Sequence, residues 1–379
     1  MEMVWPFVPQ IAFKEVLTWT TDVIRCKETE QRISIRKFPR TEFDYKFHFL
    51  PQQIETATRL SRDIAIEGFQ LPIWSDAEPV VVTTADTVIS IATNEKRFIK
   101  GGFLFIIGLS GEYEIAQIEE VSPVSVTIAS PGIVNSYGSA LAMPCTKSFT
   151  TQAFKFNKYS ADYTTGQLTA ETTDVFPVTG ENNYPAYKGA FVLTDRPVIS
   201  GATTESHNRE KSEFPSVAGP LYFAAEYSYA ISKFELSWSF DNKAQLWTFR
   251  KWLYSLQGKQ KAFYTPRWTR DFIVASNTTS GNLFLILEKN SLLTDNYKGP
   301  IAIVKKDGTV LFNSITIWAD NGATMKAFIE TSMGVSINKD EIELVCRMPK
   351  VRSDADSIEL AYEPGGHINV RIPLIEVPE

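Results

Sequence analysis

The sequence predicts a mainly β protein of two similar β-rich domains, each built of antiparallel sheets or barrels with one packed helix, from an internal tandem duplication. Three observations predict it. An alternating aromatic strand runs into a helical pattern twice, as FDYKFHFLPQQIETATRL from Phe43 and as FELSWSFDNKAQLWTFRKW from Phe234. Further matched segments follow both in the same order, and long-period self-similarity of this kind is the mark of a repeated unit. Aromatic residues are 12% of the chain and Thr, Val and Ile recur in short runs, a usage suited to pleated, half-buried surfaces. At 379 residues the chain exceeds one typical core, and the domains are placed at 1–175 and 176–379.

In the first copy Phe43, Tyr45, Phe47 and Phe49 alternate, which gives a strand one apolar face; Phe234, Leu236, Trp238 and Phe240 do the same in the second. Pro51 then suits a first helical turn, and Ile54, Ala57, Leu60 and Ile64 follow at helical spacing. Asp241 and Asn242 are cap residues for a second helix through Leu246, Phe249, Leu253 and Leu256. Gly68 and Gly258 stand where left-handed helix ends are expected. Leu71-Pro72-Ile73-Trp74 then matches Thr265-Pro266-Arg267-Trp268.

Lys100–Ile118 and Lys298–Ile315 each read as a hairpin, with turns at Ser110-Gly111 and Asp307-Gly308. Ser130-Pro131-Gly132-Ile133 matches Ser332-Met333-Gly334-Val335, and the strand bearing Leu141, Met143 and Cys145 matches Ile342, Leu344 and Cys346. Upstream, Val16-Leu17-Thr18 is aligned with Val192-Leu193-Thr194. The boundary falls between 165 and 190, where Thr, Gly, Asn and Pro dominate without periodicity, and the polar stretch from Ser200 to Pro220 reads as an exposed loop. In the strand expected from Tyr227 to Phe240, a phase slip between Ile231 and Phe234 predicts a β-bulge.

Net charge is −6 and no block of Lys or Arg is present, so tight nucleic-acid binding is not expected. The acidic N-terminus, with Pro6 and Pro9, is unlike a secretory signal, and no apolar run is long enough to span a bilayer; synthesis in the cytoplasm without membrane insertion is expected. Cys26, Cys145 and Cys346 are odd in number and widely spaced, which favours reduced, buried thiols over a disulfide framework or zinc site.

No catalytic, cofactor-binding or metal site is read from the residues. His48, His207 and His367 lack the spacing of metal ligands; His48 falls on the polar side of its strand, His207 in the polar loop and His367 in a Gly-Gly turn. Glu112/Glu114 and Glu119-Glu120 are the carboxylate pairs that a glycosidase reading would use, and a solvated strand face explains them as well. Gly101-Gly102 opens a strand instead of a phosphate-binding helix. Trp247, Phe249, Trp252 and Tyr254 place large rings on more than one face of the second helix, which is expected to lie buried between its sheet and a neighbouring domain. The polar Gln53, Thr56, Arg59 and Arg62 mark the first helix as a surface one.

The run ETEQRISIRKFPR, Glu28 to Arg40, followed by an aromatic strand, resembles the opening of tail-tip proteins of long-tailed bacteriophages, and GKQKAFYTPRWTRDFIV from Gly258 has a similar look. The resemblance covers roughly a tenth of the chain. It implies a distal tail or baseplate hub protein: a structural, non-enzymatic virion component at the tail tip, a ring joining the tail tube protein to baseplate and host-recognition proteins. Two similar domains per chain favour a trimer that presents six surfaces, with a hexamer as the other outcome. DNA would be met only in transit through a lumen, and a lining of Asp and Glu, compatible with the net charge, would let it slide without sticking. The alternative is a carbohydrate- or receptor-binding β protein, in which Trp5, Trp74 and Trp268 would line an open cleft.

Overall fold

The computed structural model describes residues 2–26, 29–160, 163–176, 178–198, 205–208, 211–214, 222–225, 231–289 and 297–377. The protein is mainly β, with two α-helices and several antiparallel sheets distributed over two β-rich halves. Each half begins with a strand, a two-stranded hairpin, a long aromatic strand and a helix. In the first half these are Phe13–Thr18, Thr21–Cys26 with Thr29–Ser34, Arg40–Phe49 and helix α1, Pro51–Asp63. In the second they are Glu205–Asn208, Lys211–Phe214 with Tyr222–Ala225, Ile231–Phe240 and helix α2, Lys243–Leu256.

Five antiparallel strands follow in each half in the same order, as part of the large sheet in the first half and as a sheet of their own in the second. Val88–Ser90, Ser125–Ile128, Tyr113–Ser122, Phe103–Gly108 and Tyr137–Thr150 lie side by side in the first. Phe284–Glu288, Thr324–Ile329, Val310–Asn321, Gly299–Lys305 and Ile342–Arg347 do so in the second. Each set of strands closes over its own small core: Leu104, Ile106, Ile118 and Val126 in one, Leu285, Ile301, Ile303 and Val345 in the other. Gly111 and Gly308 adopt positive φ at the two hairpin turns, as the turn reading requires.

Each half ends by sending strands back to its long aromatic strand. Thr164–Thr172 pairs with Arg40–Phe49 and with Lys155–Lys158, and Ile368–Glu376 pairs with Ile231–Phe240 and with Ser357–Tyr362. Phe13–Thr18 is bonded on one side to Arg40–Phe49 and on the other to Ser357–Tyr362. The two halves therefore share one row of strands, running Lys155–Lys158, Thr164–Thr172, Arg40–Phe49, Phe13–Thr18, Ser357–Tyr362, Ile368–Glu376, Ile231–Phe240, Glu205–Asn208.

Alternation decides which side of this row is covered. Phe43, Tyr45, Phe47, Phe49, Phe234, Leu236, Trp238 and Phe240 all enter one buried cluster with residues of α2, while Lys46 and His48 stay on the exposed side. The second helix is the more deeply set. Leu246, Phe249, Trp252, Leu253 and Leu256 are buried, and Asn242 caps it by accepting a hydrogen bond from the Gln245 amide at 2.8 Å. In α1, Ala57 is buried and Ile54 and Leu60 only partly so; Gln53 accepts from the Leu50 amide at 3.0 Å.

Several sequence expectations are corrected. The Thr-rich start of the expected linker is the regular strand Thr164–Thr172, because β-branched threonines suit a strand and Gly166 lets Phe49 and Phe154 pass within 2.6 Å of where a Cβ would stand. No bulge interrupts Ile231–Phe240: its register against both neighbours is continuous, Ser232 taking the inward position that the sequence reading sought for Ile231. Residues 227–230 of that expected strand lie outside the described residues, as does much of the loop from Ser200; within that loop Glu205–Asn208 is a strand, which places His207 in a ladder. Val192 bridges Tyr264 as Val4 bridges Gln70, so Val192 answers to Val4 and not to Val16.

Gly68 is not left-handed; its missing side chain makes room for the Phe149 ring, 2.9 Å from a built Cβ. At α2, Gln257 and Gly258 are both left-handed, with φ of 56° and 70°. A Cβ on Gly258 would meet Asp356 Oδ1 at 2.6 Å and Trp19 Cβ at 2.9 Å. Gly258→Ala is therefore expected to lower stability by about 1–3 kcal/mol, whereas Gly308→Ala, with φ of 86° but open space, should lose only about 1–2 kcal/mol from the backbone. Thermal unfolding of the two variants side by side checks the order.

Candidate assembly site

The seam between the halves is the pairing of Phe13–Thr18 with Ser357–Tyr362, in which Glu15 stands opposite Leu360 and Val16 opposite Glu359. On its exposed side Lys14 and Glu359 form an ion pair at 2.9 Å, and the Thr18 and Ser357 hydroxyls meet at 3.1 Å. Its covered side holds a buried ion cluster. Glu15 is fully buried because its strand phase places it inward between Phe13 and Leu17.

Arg250 of α2 donates to both oxygens of Glu15, at 2.5 and 2.8 Å, and Arg97 donates to Oε1 at 2.7 Å. Arg97 also holds Asp76 through Nε at 2.9 Å and Nη2 at 2.8 Å, and the Tyr362 hydroxyl donates to Glu15 Oε2 at 3.1 Å. Two carboxylates face two guanidinium groups, so the formal charges cancel. Burial raises the Glu15 carboxyl, but the charges of Arg250 and Arg97 outweigh it and hold the group down at about 2. Burial and the Glu15 charge push the Tyr362 hydroxyl up, so it remains a donor.

Beside the cluster a cavity of about 350 Å³ opens between the halves, lined among others by Phe13, Trp74, Asp241, Trp247, Tyr362 and His367. Phe13 and Tyr362 stack across the seam with ring centroids 4.3 Å apart. Of the tryptophans expected to tell a binder from a ring component, Trp5 and Trp268 are buried within this chain, and Trp74 is half-buried at the cavity.

The exposed side of the strand row is mixed in charge. Lys14 pairs with Glu359, Arg40 with Glu171 at 3.1 Å and Arg371 with Glu235 at 3.2 Å. The outer edges of the row are Lys155–Lys158 and Glu205–Asn208, and among the described residues no strand pairs with either outer edge. Glu205 lies opposite the buried Phe234 but, unlike Glu15, is exposed, and it too meets a guanidinium, that of Arg267.

The remaining candidates are dispersed. His48 is exposed and packs edge-on against Tyr163; His207 lies near Ser232 and Glu205; His367 pairs with Asp241 at 2.8 Å. Glu114 accepts from the Val134 and Asn135 amides, at 3.0 and 3.1 Å, and so fixes a loop, and Glu112 accepts from Ser110. Glu119 and Glu120 are exposed on a strand. Among the described residues no group of three or more His, Cys, Asp or Glu could hold a metal ion, and no helix is long and apolar enough to cross a membrane. Cys145 and Cys346 are free and buried, with burial pushing the Cys346 thiol up to about 12; the Cys26 side chain lies outside the described residues.

Sequence reasoning missed Glu15, Asp76, Arg97 and Arg250. A carboxylate in the inward phase between Phe13 and Leu17 was the available signal. No protein-family model matches this sequence, and no curated protein matches it.

Proposed function

We propose that this chain is a structural protein of a bacteriophage tail tip, a tandem duplication whose copies assemble into a ring between the tail tube and the baseplate or host-recognition proteins. One observation carries the reading: the halves repeat the same strand order and meet edge to edge, leaving, among the described residues, an open strand edge at each end of the shared row. A unit that joins its like in this way and keeps both ends open is built for head-to-tail association, and such contacts make rings when the rotation closes. Three chains would present six half-units. On the exposed side of the row Lys14, Arg40 and Arg371 are paired to carboxylates, which lowers the uncompensated positive charge offered to DNA in transit.

Light scattering over a range of concentrations tests this. A trimer of the 42.7 kDa chain is expected near roughly 128 kDa, and a hexamer near roughly 256 kDa would keep the ring but remove the duplication's role as symmetry adaptor. A monomer at all concentrations would overturn the ring. A second reading, glycan or receptor binding, is favoured by the cavity that Trp74 and Trp247 line. Quenching or enhancement of tryptophan fluorescence by cell-wall oligosaccharides, abolished in Trp247→Ala, would raise it above the first.

A further inference from the structure

Among the described residues, the two strands with an unpaired outer edge are the counterparts of the two strands already joined at the seam. Glu15 lies opposite Phe43 as Glu205 lies opposite Phe234, so Glu205–Asn208 occupies in the second half the place of Phe13–Thr18 in the first. Thr164 lies opposite Phe49 as Ile368 lies opposite Phe240; next along, Phe156 lies opposite Gly166 as Leu360 lies opposite Val370. Lys155–Lys158 therefore occupies the place of Ser357–Tyr362.

From this correspondence, which rests on the ring reading, we infer that Glu205–Asn208 of one copy pairs antiparallel with Lys155–Lys158 of the next in the register of the internal seam. Glu15 opposite Leu360 becomes Glu205 opposite Phe156 of the next copy; Val16 opposite Glu359 becomes Ser206 opposite Lys155 of the next copy. Three features of the free edges fit. Phe156 is only partly buried, although its ring joins the Phe49 and Phe154 cluster, and it needs the cover that Leu360 receives at the seam. Glu205, exposed at the edge opposite Phe234, has its charge met by Arg267, so covering it leaves no orphan carboxylate. Lys155 and Lys158 are exposed on one edge, and their like charge opposes pairing of two such edges.

The test uses the full-length protein carrying Ser206→Cys and Lys155→Cys together with Cys26→Ser, with solution mass measured under reducing conditions before mild oxidation. Oligomers linked by disulfide are expected on a non-reducing gel, forming at least about tenfold faster than when Asn157→Cys replaces Lys155→Cys, because pairing raises the effective concentration of the facing thiols. If the wild-type protein and both variants share one oligomeric mass and linkage is absent, or is faster at Asn157, this interface is wrong and the ring reading survives. A wild-type protein that stays monomeric at every concentration removes both. If only the variants are monomeric, Ser206→Ala with Lys155→Ala is used instead: retention of the oligomer by this pair would overturn a role for polar contacts at that register position, and its loss would support the inferred edge.

Discussion

Glu15→Gln is expected to cost the folded state about 3–5 kcal/mol, because it removes one partner from a buried ion cluster and leaves Arg97 and Arg250 facing Asp76 alone. Arg250 loses its charge partner at both terminal nitrogens, and with burial this deep water cannot replace it. Urea unfolding checks it through a lowered midpoint with little change in slope. Removing the pair together, Glu15→Met with Arg250→Met, should restore much of the loss, since Arg97 keeps Asp76. A loss below about 1 kcal/mol for Glu15→Gln would mean that the seam does not depend on the cluster.

The same carboxyl sets an acid limit. Its pKa falls from an ordinary 4.5 in the unfolded chain to about 2 in the fold, so its contribution is complete above 4.5 and is lost as pH falls towards 2. The shift corresponds to roughly 3 kcal/mol. The difference in stability between the wild-type protein and Glu15→Gln should therefore shrink as pH is lowered from 5 to 2.5.

Trp252→Ala is the other large effect, expected at about 3–5 kcal/mol. Trp252 is 1% exposed and touches Tyr184, Phe249 and Phe263, with ring centroids 5.7, 4.9 and 5.1 Å away. Among the described residues its indole N–H has no acceptor, so its contribution there is apolar contact, and Trp252→Phe should recover more than half of the loss. The matching exposed-face change on α1, Thr56→Ala, should stay within about 0.5 kcal/mol. Calorimetry on the three variants decides whether α2 is the buried element of the pair; a small loss for Trp252→Ala would show that the site collapses around the cavity.

Local order was legible in the sequence because it is written in local residues. The aromatic alternation of Phe43–Phe49 and Phe234–Phe240, the Asn242 cap and the Gly-bearing hairpin turns all appear where their spacing puts them. What was not legible is what the chain brings together from afar. Nothing near Phe13–Thr18 announces that its second partner is Ser357–Tyr362, and Arg97 reads as a surface residue until Asp76 and Glu15 converge on it. The Thr-rich strand at Thr164 was misread because turn residues and β-branched residues share that segment, and a large-ring neighbour, Phe49, explains its glycine only in three dimensions.

The seam also sets a timetable. Thr18 and Ser357 are 339 residues apart, so during synthesis at about 5–20 residues per second the first strand waits roughly 20–70 s for its second neighbour. Through that interval the edge that Ser357–Tyr362 will cover stands open beside the completed first half. On a polysome it meets the finished ends of sister chains, so the same ladder that unites the two halves is a route to exchange of C-terminal strands between molecules.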